Sequence, residues 1–211
     1  MVDIKNISYR LYGITDQHYL NGDTLYNQVH QALQGGLSIL QLREKELDEE
    51  SFVKEATEIR ELCHQYDVPL IINDNLNVAI RSNADGIHIG QDDIDIEIVK
   101  ERFPNKIIGV TAHNLEEALK AYQQGASYLG CGAIFPSSTK DNTIALSIEE
   151  LKKICLNIDI PVVAIGGITL DNMTVLKDTG ISGVALVSAI FNSSNITESC
   201  KKINEELRCL L

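Results

Sequence analysis

The stretch PLIINDNLNVAIRSNADGIHIGQDD, residues 69–93, decides the architecture. It opens on an aliphatic run, Pro69-Leu70-Ile71-Ile72, and carries a second at Gly86-Ile87-His88-Ile89. Between them, Leu76, Ala79 and Ile80 recur at helical spacing, so the segment reads strand, helix, strand. That is a βαβ unit about 25 residues long, the building block of a parallel sheet. Both runs break into polar residues at their C-terminal ends, Asn73-Asp74-Asn75 and Gly90-Gln91-Asp92-Asp93.

The same rhythm extends in both directions. Strands are expected at 10–15, 38–43, 69–73, 86–89, 106–111, 128–131, 161–165 and 183–187. Helical patterns are expected at 24–34, 48–66, 75–82, 95–103, 114–124, 147–156, 170–179 and 197–207. Asp48, Asn114 and Ser147 stand where helices start, Ser147 with Glu150 three residues on as a capping box. Gly35-Gly36, Gly125 and Gly180 stand where helices turn into the next strand. Eight such units favour closure into a single (β/α)8 TIM barrel over an open doubly wound sheet, and neither GxGxxG nor a P-loop is present. The expectation is one catalytic domain over residues 1–211.

Bulk properties narrow the function classes. The 211 residues carry a net charge of −12, which disfavours nucleic acid and anionic membrane surfaces, so anionic ligands require locally concentrated cations. The five cysteines show no CxxC spacing and read as reduced cytoplasmic thiols. No apolar run reaches the roughly 18 residues of a membrane span. A homo-oligomer is compatible with the sequence.

In this register the unusual polar residues fall just past strand ends, where (β/α)8 enzymes assemble their sites. Gln41-Leu42-Arg43-Glu44-Lys45 reads equally as an anion site or a charged loop; alternation puts Gln41 and Arg43 on one side, with Lys45 beyond the strand. Asp74 and Asp93 each compete with a helix-cap reading. As a pair leaving adjacent strands, they offer two hard oxygen ligands suited to Mg2+. His88 reads as a core histidine behind the site. Thr111 offers a hydroxyl at the mouth, and Ser137-Ser138-Thr139-Lys140 can wrap a phosphate or form a polar turn. Gly166-Gly167 and Val187-Ser188 follow the seventh and eighth strands, the habitual phosphate position of this fold, although paired glycines also serve tight turns.

The ordered set of these motifs, with His88-Ile89-Gly90-Gln91-Asp92-Asp93 and Gly109-Val110-Thr111-Ala112-His113-Asn114, resembles the thiamine phosphate synthase family over nearly the whole chain. The resemblance implies Mg2+-dependent transfer of an aminopyrimidinylmethyl group from its diphosphate (hydroxymethylpyrimidine diphosphate) to the nitrogen of thiazole phosphate. It further implies that Asp74 and Asp93 hold the metal. Gln41, Leu42, Arg43, Glu44, Lys45, Asn73, Thr111 and Lys140 would surround the pyrimidine diphosphate, with Lys140, Arg43 and Thr111 catalytic. Ser137, Ser138, Thr139, Gly167, Val187 and Ser188 would hold the thiazole phosphate. The family usually carries Ser at position 111 and Thr at 137, and both exchanges keep the hydroxyl. A sister thiazole tautomerase places a histidine where this chain has Ala133, which favours the synthase. A phosphosugar isomerase or a non-catalytic phosphometabolite-binding barrel are the remaining alternatives.

Overall fold

A computed structural model describes residues 6–136 and 145–211. Eight parallel strands close on themselves in chain order: β1 (Leu11–Ile14), β2 (Ile39–Leu42), β3 (Leu70–Asn73), β4 (Gly86–Ile89), β5 (Ile107–Ala112), β6 (Tyr128–Cys131), β7 (Val162–Ile165) and β8 (Gly183–Leu186). Closure is made by β1 against β8, with Leu11 opposite Val184 and Tyr12 opposite Ala185. The helices are α1 (Leu25–Gln34), α2 (Glu49–His64), α3 (Leu76–Arg81), α4 (Ile96–Arg102), α5 (Leu115–Gln124), α6 (Ile148–Asn157), α7 (Ser188–Phe191) and α8 (Ile196–Leu210).

Strand side chains alternate between two separate apolar layers. Leu11, Leu40, Leu42, Leu70, Ile72, Ile108, Leu129, Val162 and Val184 face the helices. Tyr12, Ile39, Ile71, Ile107, Tyr128, Val163 and Ala185 fill the barrel interior. Alternation then makes Gln41, Asn73, His88 and Thr111 the inward residues one layer nearer the C-terminal mouth. At Gly109, an inward position of β5, an added Cβ would lie 2.1 Å from Cζ of Tyr128 and 2.5 Å from Nδ1 of His88, so the glycine makes room for that pair.

The expected helix starts are realised. Asp48, Asn114 and Ser147 accept from Ser51 N, Glu117 N and Glu150 N respectively. The capping box at Ser147 is not closed, because the Glu150 carboxylate accepts instead from Leu115 N at 3.1 Å and Lys153 Nζ at 3.1 Å. The helix expected over 170–179 is absent. A single 3-10 turn, Met173–Leu176, stands there, followed by Lys177 in extended backbone (ψ 141°) and Asp178 at φ 58°. Its cause is local: Asn172 Oδ1 accepts from Thr169 N and its amide donates to the Gly167 carbonyl. The chain is thereby tied back to the end of β7, and Met173 and Leu176, three residues apart, still reach the core. The short α7 after β8 was not expected from the sequence. Among the described residues, no helix is long and apolar enough to cross a membrane.

Candidate active site at the C-terminal mouth

Because all eight strands run parallel, residues that follow them share one mouth. At the end of β2, Gln41 is buried and its amide donates to the Tyr12 hydroxyl at 2.8 Å. Leu42 points the other way and is wholly buried against the helices, which leaves only its backbone toward the mouth. Arg43 is held from β1. Its N–H donates to Thr15 Oγ1 at 3.0 Å, and its Nη1 donates at 3.0 Å to Oδ2 of the buried Asp16. Glu44 is occupied by its own loop, accepting from Lys45 N, Glu46 N and the Gln17 amide. These bonds shape the turn that carries Lys45.

Lys45 reaches across to β3, its Nζ 2.7 Å from Oδ2 of Asp74. Asp74 adopts φ 61°, a conformation rare for a residue with a Cβ, and its N–H donates to the His88 carbonyl at 2.9 Å, which pins it beside β4. The cap of α3 is Asn75, accepting from Val78 N, so the carboxylate of Asp74 is not used as a cap. Asp93 likewise is not the cap of α4, a position held by Asp95; its Oδ2 accepts from Gly90 N at 2.6 Å. Among the described residues, Oδ1 of neither aspartate accepts a hydrogen bond. Two carboxylates anchored through one oxygen each, on the ends of neighbouring strands, fit a hard divalent cation that takes its remaining ligands from phosphate and water. The described residues contain no cluster of three or more potential metal ligands.

Asn73 is partly buried, and among the described residues its carboxamide makes no hydrogen bond. Thr111 Oγ1 lies 3.0 Å from His88 Nε2, and its carbonyl accepts from Gln91 Nε2 at 2.5 Å. On the opposite wall, Gly166 and Gly167 both have positive φ. A Cβ at Gly167 would lie 2.4 Å from the Pro136 carbonyl, so the turn and the close approach of the preceding loop alone require glycine there. Val187 and exposed Ser188 begin α7. Ser137, Ser138, Thr139 and Lys140 lie outside the described residues.

Several participants are not apparent from the sequence. Asp16 follows β1 just as Asp74 follows β3, a positional signal that could have revealed it. Tyr12 and Tyr128 sit inside apolar strands and read there as core. Burial raises both phenols well above the ordinary tyrosine value.

The family model described as thiamine monophosphate synthase matches residues 11–190. The chain is 42% identical over 199 residues to the thiamine-phosphate synthase of Clostridium acetobutylicum, covering 94% of each protein. It is 43% identical over 207 residues to that of Fusobacterium nucleatum, covering 98% of each. Its fold superposes on thiamine phosphate pyrophosphorylase from Pyrococcus furiosus with a TM-score of 0.89 at 34% identity, over 97% of this chain and 98% of that one. With the strand order and a match spanning the whole barrel in agreement, this chain belongs to the thiamine monophosphate synthase family.

Proposed function

We propose that this chain, acting as one catalytic unit in the cytoplasm, couples two small molecules into thiamine phosphate. The 4-amino-2-methylpyrimidin-5-ylmethyl group leaves its diphosphate and is captured by the ring nitrogen of thiazole phosphate. The C–O bond breaks with its electron pair going to diphosphate, and the nitrogen lone pair forms the C–N bond. No protein nucleophile and no net proton transfer are needed.

The observation that carries this reading is the charge arrangement at the mouth. In a chain of net charge −12, Arg43 and Lys45 stand together past β2, each held on a carboxylate from a neighbouring strand. Arg43, fixed by Asp16 and Thr15, presents its remaining guanidinium donors to a phosphate in a set orientation. The Lys45–Asp74 pair is partly exposed and therefore weak, on the order of 0–1 kcal/mol, so the partners can separate when substrate arrives. Lys45 and Lys140 then take up charge developing on the departing diphosphate. Mg2+, held by Asp74 and Asp93, supplies further neutralisation of that leaving group when bound. Thr111, Asn73 and Gln41 line the inner side where the pyrimidine ring sits. Ser137, Ser138, Thr139, Gly167, Val187 and Ser188 grip the thiazole phosphate, so the two reactants meet in a fixed alignment.

The test is incubation with both phosphorylated heterocycles and Mg2+, followed by mass detection of the coupled product. Calorimetric binding of both ligands without product would instead favour a phosphometabolite-binding barrel.

A further inference from the structure

Five side chains from five strands form one continuous hydrogen-bonded chain through the barrel. Gln41 Nε2 is 2.8 Å from Tyr12 OH, which is 2.6 Å from Tyr128 OH. Tyr128 OH is 2.9 Å from His88 Nδ1, and His88 Nε2 is 3.0 Å from Thr111 Oγ1. Both phenols are buried, and their raised pKa leaves each with its one proton throughout the working pH range.

One proton per phenol makes the chain directional. If Gln41 donates through its amide nitrogen, Tyr12 donates to Tyr128 and Tyr128 to Nδ1 of His88, because the other arrangement, in which Tyr12 accepts from both neighbours, leaves its buried O–H without an acceptor among these partners. A neutral imidazole then carries its proton on Nε2 and donates to Thr111, whose own O–H is released toward the mouth. Reversal flips every member: Gln41 would show its NH2 outward, and Thr111 would spend its proton on His88. In the arrangement found, Gln41 donates inward through Nε2, and its Oε1 accepts no hydrogen bond among the described residues.

We propose that Tyr12, Tyr128 and His88 are positioning residues that fix Gln41 as an acceptor and Thr111 as a donor at the mouth, and so select a ring bearing an amino group over one bearing an oxo group. The choice of ring rests on the function proposed above; the direction of the chain does not. An acceptor that cannot rotate meets an amino group with a hydrogen bond and a carbonyl with lone-pair repulsion. A hydroxyl donor at the other end suits the anionic half of the substrate.

Two measurements test this. In 15N-histidine-labelled protein, with the signal assigned through a His88→Asn variant, the ring should be protonated on Nε2 and bare on Nδ1. The opposite tautomer, or a doubly protonated ring, overturns the proposal. Second, Tyr128→Phe and Tyr12→Phe each cut the chain while keeping the ring. Preference for the 4-amino over the 4-oxo pyrimidine diphosphate, read both as kcat/KM and as calorimetric Kd, should narrow by about tenfold or more in each variant. Equal losses for both substrates, with the ratio unchanged, would reduce these tyrosines to packing and overturn it. Should the wild type bind but not turn over, the Kd ratio and the tautomer still decide the matter, while the proposed function alone fails.

Discussion

The ammonium of Lys45 lies 2.7 Å from the carboxylate of Asp74, joining the ends of β2 and β3. Under the proposed function Lys45 would meet phosphate and Asp74 would meet metal, so in this pair each neutralises the other, and the relationship gives two predictions of opposite sign.

Lys45→Ala releases Asp74 from its partner. The variant should reach half-maximal turnover at a lower Mg2+ concentration than wild type while its KM for the pyrimidine diphosphate rises about tenfold. Steady-state rates over a Mg2+ titration measure both. Movement of the two quantities in the same direction would argue against the exchange of partners.

Asp93 uses one carboxylate oxygen on Gly90 N, and the other, which accepts no hydrogen bond among the described residues, would serve the cation under the proposed function. Asp93→Ala should lower kcat by at least on the order of 10² with saturating substrates. An unaltered Mg2+ dependence in that variant would remove Asp93 from the metal site.

Asp16 is the buried anchor of Arg43. With Asp16→Asn the guanidinium keeps a neutral acceptor but loses its charged one. KM for the diphosphate substrate should rise about tenfold and that for thiazole phosphate should stay within about twofold. Equal rises in both would indicate a general disturbance of the mouth.

Glu55 on α2 is half-buried, and among the described residues its Oε1 has no hydrogen-bond partner. Burial first, then the negative charges of Glu44 and Glu58, push its pKa up to about 7. The native state therefore keeps a proton that the unfolded chain has already released. Stability from this group is fully present below the unfolded value near 4.5 and is lost as pH rises through about 7. Glu55→Gln should stabilise the protein by about 1–2 kcal/mol at pH 8 after allowance for partial solvent screening, and by far less at pH 5. Urea denaturation at the two pH values decides; equal differences would place the effect elsewhere.

The barrel was legible in the sequence because its strands are short aliphatic runs that end abruptly in polar residues, as Leu70-Ile71-Ile72 does at Asn73. Asp74 and Asp93 could be paired from their places after adjacent strands, but only coordinates separate such residues from helix caps; the caps proved to be Asn75 and Asp95. The segment after β7 misled because Leu170, Met173 and Leu176 suit a helical face, whereas the side chain of Asn172, tied to both Thr169 and Gly167, closes a tighter turn. The polar chain through the barrel was hidden for a different reason. Tyr12 and Tyr128 are 116 residues apart, and nothing local to either indicates that their hydroxyls meet.

Pairing of Leu11 with Val184 has a consequence for synthesis. A nascent chain emerging from the ribosome exposes the edge of β1 until β8 has been made, because that strand is its second neighbour. The seal also waits on α8, where Thr197 and Asn204 bind the carbonyls of Gln31, Gly35 and Gly36 at the far end of α1. Translation stalled before these residues emerge leaves an open, adhesive sheet, so dependence on chaperones should persist until β8 and α8 have left the ribosome.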